Sequence, residues 1–104
     1  MSPDPSVSAF DPADLKKLRE TNECVSCDLS KADLFNDELI NANLIGADLT
    51  ATNLSSENLS YTDLTYANLS GTDLSFIDLI FACMNWTIFC DTTMPDGSVK
   101  KYSC

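Results

Sequence analysis

The sequence predicts an all-β solenoid, in which the chain winds into a square coil and successive coils stack like parallel strands. Two observations support this prediction. Leucine occupies every fifth position from Leu29 to Leu79, and Met84 and Phe89 continue the spacing, so thirteen units follow one another in register. The residue two before each central residue is mostly small, and the residue directly before it is almost always Asp or Asn.

A period of five fits neither regular secondary structure. On a helix, five residues turn through about 500°, which spreads the leucines around all sides. On a strand, an odd period sends alternate leucines to opposite faces. A chain that turns a corner every five residues points the leucine and the small residue inward and the other three outward. Four corners close a coil of twenty residues, so residues twenty apart should stack at about 4.8 Å.

The motif A(D/N)L occurs at residues 32–34, 42–44, 47–49 and 67–69, and it resembles the repeat of the pentapeptide repeat proteins. The resemblance implies a right-handed quadrilateral β-helix of about three coils. We therefore expect an N-terminal extension with a capping helix in residues 1–26, the repeat in residues 27–90, and a C-terminal capping segment in residues 91–104.

Both ends of such a coil need lids, because an end coil exposes apolar side chains and unpaired backbone groups. At the N-terminus, Asp11 can cap a helix that has Pro12 at its first position. This predicts a short helix from Pro12 to about Glu20, with Leu15 and Leu18 over the first coil. At the C-terminus, the sequence PDG at residues 95–97 predicts a turn within the second lid.

The five cysteines lie near the two ends of the repeat. Cys24 and Cys27 form a lone CxxC without a histidine, so a zinc site lacks ligands, and we expect a structural disulfide. A disulfide between Cys90 and Cys104 would pin the C-terminal lid, and Cys83 is either free or an alternative partner for Cys104.

Cysteine pairs in a short chain indicate an oxidising compartment. The sequences CxxCDLSxADL and FCxTTMPDG also resemble small lumenal or periplasmic family members from cyanobacteria and plastids. We expect the thylakoid lumen or the periplasm, with the cytoplasm as the alternative. The N-terminus lacks the basic start and apolar core of a signal peptide.

Two groups of side chains depart from the repeat. Apolar rings occur two residues after the central position, where they would point outward, and Tyr61 should stack on Phe81 as Tyr66 should on Trp86. Such rings form a candidate protein-binding patch, unless the tails, with Val99 and Tyr102 or Val7 and Phe10, cover them. The predicted patch comprises Tyr61, Tyr66, Phe76, Phe81 and Trp86.

The second group is an inward acidic pair, Asp37 and Glu57, which occupy small-residue positions twenty apart. Two carboxylates about 5 Å apart inside the coil cannot both ionise easily. Either the corner distorts so that both reach water, or the pair shares a proton or binds a cation. The other outward acids are expected to form a solvated surface.

Charge and composition exclude several classes of partner and of chemistry. A net charge of −10 without any histidine argues against nucleic acid and anionic membranes as partners. No apolar run is long enough to span a bilayer, and no nucleophile–base pair, metal site or cofactor site is evident. We expect a monomeric, non-catalytic structural or protein-binding module with an unidentified protein partner.

Two alternatives have some support. The family resemblance includes DNA mimics that bind DNA gyrase, and the acidity fits such an inhibitor. The CxxC is the only feature that favours a redox protein.

Overall fold

The computed structural model describes residues 10–34, 39–54 and 58–102. Helix α1 (Pro12–Thr21) comes first, and strands β1 (Phe89–Thr93) and β2 (Val99–Tyr102) come last and pair antiparallel. Between α1 and β2, single residues form parallel bridges with residues twenty positions later, from Glu23 with Asn43 to Asp73 with Thr93. The predicted twenty-residue stacking is therefore confirmed. We call residues 23–94, which include the core residue Met94, the coiled repeat.

The coiled repeat extends one unit beyond each end of the predicted 27–90. Cys24 takes a central position at the start and is fully buried, and Met94 takes one at the end, where it packs against the core. Neither residue is leucine, which is why the leucine spacing alone did not include these units.

The core consists of the two inward positions of each unit. The central leucines from Leu29 to Leu74 in the described residues are at most 2% exposed. The small residues two positions earlier are buried beside them, as Ala47 and Thr62 illustrate. Each leucine removed from water in this way contributes roughly 1.5–3 kcal/mol. This burial confirms the prediction that the central leucine and the small residue two before it both point inward.

Every backbone amide of a typical unit has a hydrogen-bond partner, as residues 47–51 show. The first amide closes the preceding turn, the second donates to the coil before, and the third and fifth donate to the coil after. The fourth donates to the side chain of the unit's own aspartate. For the amides of residues 47 to 51 in sequence order, the acceptors at 2.8–3.0 Å are Leu44 O, Cys27 O, Asn68 O, Asp48 Oδ1 and Ser70 O.

Each corner is a turn with a left-handed residue. The last residue of each described unit from Ser26 to Asp91 has φ between 55° and 72°. At a typical corner the next amide donates to the central carbonyl three residues before it, as Ala47 does to Leu44. A positive φ at the third residue of a hydrogen-bonded turn defines type II, in which glycine is favoured.

Helix α1 covers the first coil. Asp11 caps it by accepting a 2.9 Å hydrogen bond from the amide of Ala13, and Leu15 and Leu18 are buried. The helix is one residue longer than predicted and ends at Thr21, with Asn22 as its C-cap at φ 61°.

The C-terminal hairpin turns where the PDG sequence predicts. The amide of Gly97, at φ 86°, donates to Met94 O at 2.8 Å, and Asp96 Oδ1 accepts from Ser98. Strand β2 pairs with β1 from Phe89 to Thr93, so it covers only one side of the last coil.

Candidate functional site

Five aromatic side chains occupy corners of the coiled repeat, and we call them the aromatic corners. Each is the last residue of its unit and adopts φ between 57° and 63°. Because the two inward positions are already filled, these side chains project outward. Their exposed fractions range from 56% at Tyr61 to 92% at Phe76. The aromatic corners are Tyr61, Tyr66, Phe76, Phe81 and Trp86.

Two of the aromatic corners stack as expected. The rings of Tyr61 and Phe81 lie 5.4 Å apart at an interplanar angle of 25°. For the expected second pair, Tyr66 and Trp86, the described residues contain no ring contact. Their backbone register is nevertheless the expected one, because the Tyr66 amide donates to Asn85 O at 3.1 Å. The hydrogen bonds between coils fix the Cα positions of the two residues. They do not fix the rotamer of an exposed ring, and neither does packing in the core.

The fold does not require rings at these corners. Gly46 and Gly71 hold the same position without a side chain, whereas a bulky residue in left-handed conformation costs roughly 1–3 kcal/mol. Other corners hold Ser26, Lys31 or Ala51 in the same conformation, so the strain belongs to the corner. What distinguishes the five aromatic corners is a large exposed ring that contributes little burial. The aromatic corners are therefore the strongest candidate for a functional surface.

The described tail residues leave this surface open. Val99 is itself 55% exposed, and Phe10 packs against the core. Phe81 and Trp86 are 77% and 76% exposed. Val7 and the side chain of Tyr102 lie outside what the structure describes, so cover by those two stays a prediction.

The outward acids also form local hydrogen bonds, which the sequence expectation of a solvated surface did not include. Asp63 Oδ1 accepts from both the amide and the hydroxyl of Thr65, at 3.0 and 2.6 Å. The same local turn recurs through the repeat with Asp or Asn as acceptor and Ser or Thr as donor. The sequence signal was present, since Asp or Asn is followed two residues later by Ser or Thr in most units.

One of these local turns lowers the pKa of its aspartate. The hydroxyl of Ser75, and secondarily its amide, hold the pKa of Asp73 below its ordinary value. Across coils, the side-chain Nδ2 of Asn53 donates to Asp33 Oδ1 at 3.1 Å, so the predicted alternation of acid and amide side chains produces a direct contact.

A disulfide joins Cys24 and Cys27 across the first turn, with Cα atoms 5.3 Å apart. The Cys24 Sγ lies 3.2 Å from the carbonyl oxygen of Asp14 in α1. Both cysteines are at most 3% exposed, and thiol exchange requires access to a sulfur. This burial disfavours a redox role and suits a structural one.

The remaining cysteines lie at the other end. Cys90 takes part in a disulfide, and its predicted partner, Cys104, lies outside the described residues. Cys83 is free and partly buried. It occupies a position that elsewhere holds Asp or Asn, with its Sγ 3.4 Å from Thr65 Oγ1.

The other candidate features are limited by what the structure describes. The inward acidic pair, Asp37 and Glu57, lies outside the described residues, so its shared proton or cation stays a prediction. Within residues 10–34, 39–54 and 58–102, no group of three or more potential ligands could hold a metal ion. No helix in those ranges has the length and apolarity to cross a membrane.

A five-residue unit with an inward leucine, an Asp or Asn turn acceptor and a left-handed corner defines a class of repeat proteins. The family described as Pentapeptide repeats matches residues 27–56 and 58–94, in eight copies. The chain belongs to this family. No curated protein sequence matches it.

Two solved structures are similar to the chain. A pentapeptide repeat protein from the Arabidopsis thaliana thylakoid lumen is 19% identical, with a TM-score of 0.66 over 75% of this chain and 55% of that one. HetL, a pentapeptide repeat protein involved in heterocyst differentiation regulation in the cyanobacterium Nostoc, is 27% identical, with a TM-score of 0.36 over 80% of this chain and 46% of that one. The chain thus spans about half the length of each protein.

Proposed function

We propose that this protein is a non-catalytic binding module, in which a right-handed quadrilateral β-helix presents the aromatic corners to a protein partner. The observation that carries the proposal is the exposure of rings at strained left-handed positions, where glycine would suit the fold better. Buried aromatic anchors dominate the energetics of many protein interfaces. Exposed rings on a rigid frame, at three of the four corners of the coil, supply such anchors without a large ordering cost on binding.

An oxidising compartment, the thylakoid lumen or the periplasm, is part of the proposal. The Cys24–Cys27 disulfide and the disulfide of Cys90 support it, because protein disulfides persist mainly outside reducing compartments. The similar Arabidopsis structure is of a lumenal protein, which agrees with this placement.

The test removes the rings and keeps the frame. A variant with Ser in place of four aromatic corners should fold normally yet lose a partner that the wild-type protein captures by cross-linking in an extract of its own compartment. The four positions are Tyr61, Tyr66, Phe81 and Trp86.

The matched control replaces two exposed apolar residues that are not aromatic corners, Val25 and Val99, which are 49% and 55% exposed. Val25→Ser and Val99→Ser together should leave capture intact. Equal capture by the four-serine variant and the wild type would overturn the proposed surface.

A second candidate, a DNA mimic that inhibits DNA gyrase, is favoured by the net charge of −10. Rings at successive corners do not resemble a phosphate backbone, so the binding module is the better supported function. Inhibition of supercoiling by micromolar pure protein would reverse this preference.

A further inference from the structure

In the last coil, residues 77–86 form a backbone edge that no other described segment pairs with on its outer side, and we call these residues the free edge. Four backbone amides of the preceding coil donate to carbonyl groups of the last coil at 2.7–3.1 Å, and they belong to Leu59, Tyr61, Leu64 and Tyr66. The amides twenty residues later occupy the same positions but have no acceptor in the part of the chain that the structure describes. These four amides belong to Leu79, Phe81, Met84 and Trp86.

Matching acceptors lie on the same edge. Thr62 O accepts a 2.9 Å hydrogen bond from the amide of Cys83. Twenty residues on, Ala82 O accepts none among the described residues. The free edge therefore offers alternating donors and acceptors, in the geometry that already pairs one coil with the next. Strand β2 covers the edge only from Phe89 onward.

The side chains at this edge lack a covering layer as well. Leu59 and Leu64 are at most 1% exposed, whereas Leu79 and Met84, one coil later, are only partly buried. Three aromatic corners surround these inner residues, and Ile80 between two of them is 55% exposed. Among the described residues, the edge thus combines backbone groups without partners and partly exposed apolar side chains. An added strand would pair with the first and bury the second. The surrounding corners are Phe76, Phe81 and Trp86.

Charge identifies the occupant. Asp78 lies on the free edge and is exposed, and the chain carries a net charge of −10. A second copy would bring another −10 and place like charges opposite each other, which is unfavourable. A segment that carries Lys or Arg between apolar residues would satisfy the carboxylate, the rings and the backbone together.

We propose that the free edge binds an extended segment of a partner protein, in which apolar residues alternate with Lys or Arg, as an added parallel strand. Each side of the coil holds five residues, so such a segment pairs with the side between Phe76 and Phe81 or the side between Phe81 and Trp86. This inference rests on the proposed binding function and assigns the chemistry of its partner.

The experiment adds a synthetic peptide of about ten residues, alternating valine and lysine, to the intact oxidised protein. Hydrogen exchange measured by NMR should show the amides of Leu79, Phe81, Met84 or Trp86 slowed at least tenfold on binding. The amides of Leu59 and Leu64, already bonded, should be slow throughout. Trp86 is the only tryptophan, so its fluorescence reports binding at that corner independently.

Two peptide controls leave the protein unchanged. A peptide of valine and glutamate should bind at least about tenfold more weakly because its charges repel Asp78. A valine–lysine peptide with alternate backbone amides methylated should bind without slowing exchange at the edge, or not at all. Equal exchange protection by the methylated and unmethylated peptides would overturn strand addition.

The remaining outcomes separate this inference from the proposed function. A Trp86 fluorescence change without amide protection would mean that the rings bind while the edge does not. No binding of the peptide, with capture still dependent on the aromatic corners, would overturn the inference alone.

Amides protected in the free protein would also overturn the inference. If sedimentation then gives a dimer, the occupant is a second copy. If deletion of residues 2–9 abolishes protection of the monomer, it is the chain's own N-terminal segment.

Discussion

Replacing Phe76 separates the strain of a corner from the burial of its ring. Phe76 is 92% exposed, so about 8% of its surface is buried. An aromatic ring can bury roughly 150–250 Å², so truncation removes about 12–20 Å² of contact, which is ~0.3–0.5 kcal/mol at 25 cal/mol/Å². The ring itself therefore adds little to stability.

The backbone term is larger and has the opposite sign. Phe76 has φ 63°, a region that costs a residue with a Cβ about 1–2 kcal/mol relative to glycine. Glycine loses about 0.4–1 kcal/mol through the greater freedom of its unfolded chain. Phe76→Gly should therefore be more stable than Phe76→Ala by about 0.5–1 kcal/mol, which corresponds to roughly 4 °C in Tm.

The control is Ile80, which is also exposed and near the same edge but is absent from the positive-φ residues. There, glycine should be less stable than alanine by about 0.4–1 kcal/mol. Urea unfolding of the four oxidised variants, followed by circular dichroism, measures both differences. If Phe76→Gly is less stable than Phe76→Ala, as expected at Ile80, the strain argument for the aromatic corners fails.

Three further predictions test the core, the local turns and the disulfide. Leu64→Ala should lower the free energy of unfolding by about 3–4 kcal/mol and Leu79→Ala by about half as much, because Leu79 lies on the partly covered last coil; equal losses in urea unfolding would contradict a free edge. The hydrogen bonds of Ser75 lower the pKa of Asp73, so its stabilisation is present above the unfolded pKa and is lost as pH falls through the lower folded pKa. In the Asp73→Asn variant, the urea midpoint of unfolding should therefore fall less steeply as the pH is lowered through this range. A slope equal to that of the wild type would contradict the prediction. Replacing Cys24 and Cys27 together by Ser should cost about 2 kcal/mol in the chain-entropy model, and a lost disulfide-exchange activity would instead favour a redox protein.

Periodicity made the register of the repeat predictable before the structure. Because leucine recurs every five residues and a coil takes four units, the pairing of Asp28 with Asp48 and of Asp63 with Cys83 followed from counting. The buried layer followed as well, since the size of the residue two before each leucine is visible in the sequence. The disulfide between Cys24 and Cys27 was predicted on other grounds, because a lone CxxC without a histidine lacks the ligands of a zinc site.

Other features needed coordinates. Spacing cannot tell whether the C-terminal lid spans the last coil or only one side of it, because that depends on where the hairpin turns. With Gly97 at the turn, β2 returns along β1, and no other described strand covers residues 77–86. Similarly, the sequence put Tyr66 over Trp86, but the rotamers of two exposed rings depend on contacts that no repeat specifies.

The acidity of the chain has no structural cause, which bears on its function. The local turn needs only a side-chain oxygen, since Asn68 Oδ1 accepts from Ser70 in the way that Asp63 Oδ1 accepts from Thr65. Asparagine would serve at every such position without the self-repulsion that a net charge of −10 brings. The carboxylates, like the aromatic corners, are thus features that the coil tolerates rather than needs. A carboxylate and aromatic corners occur together at the free edge, where Asp78 lies between Phe76 and Phe81 in the sequence. A partner segment with both basic and apolar residues would bind this combination.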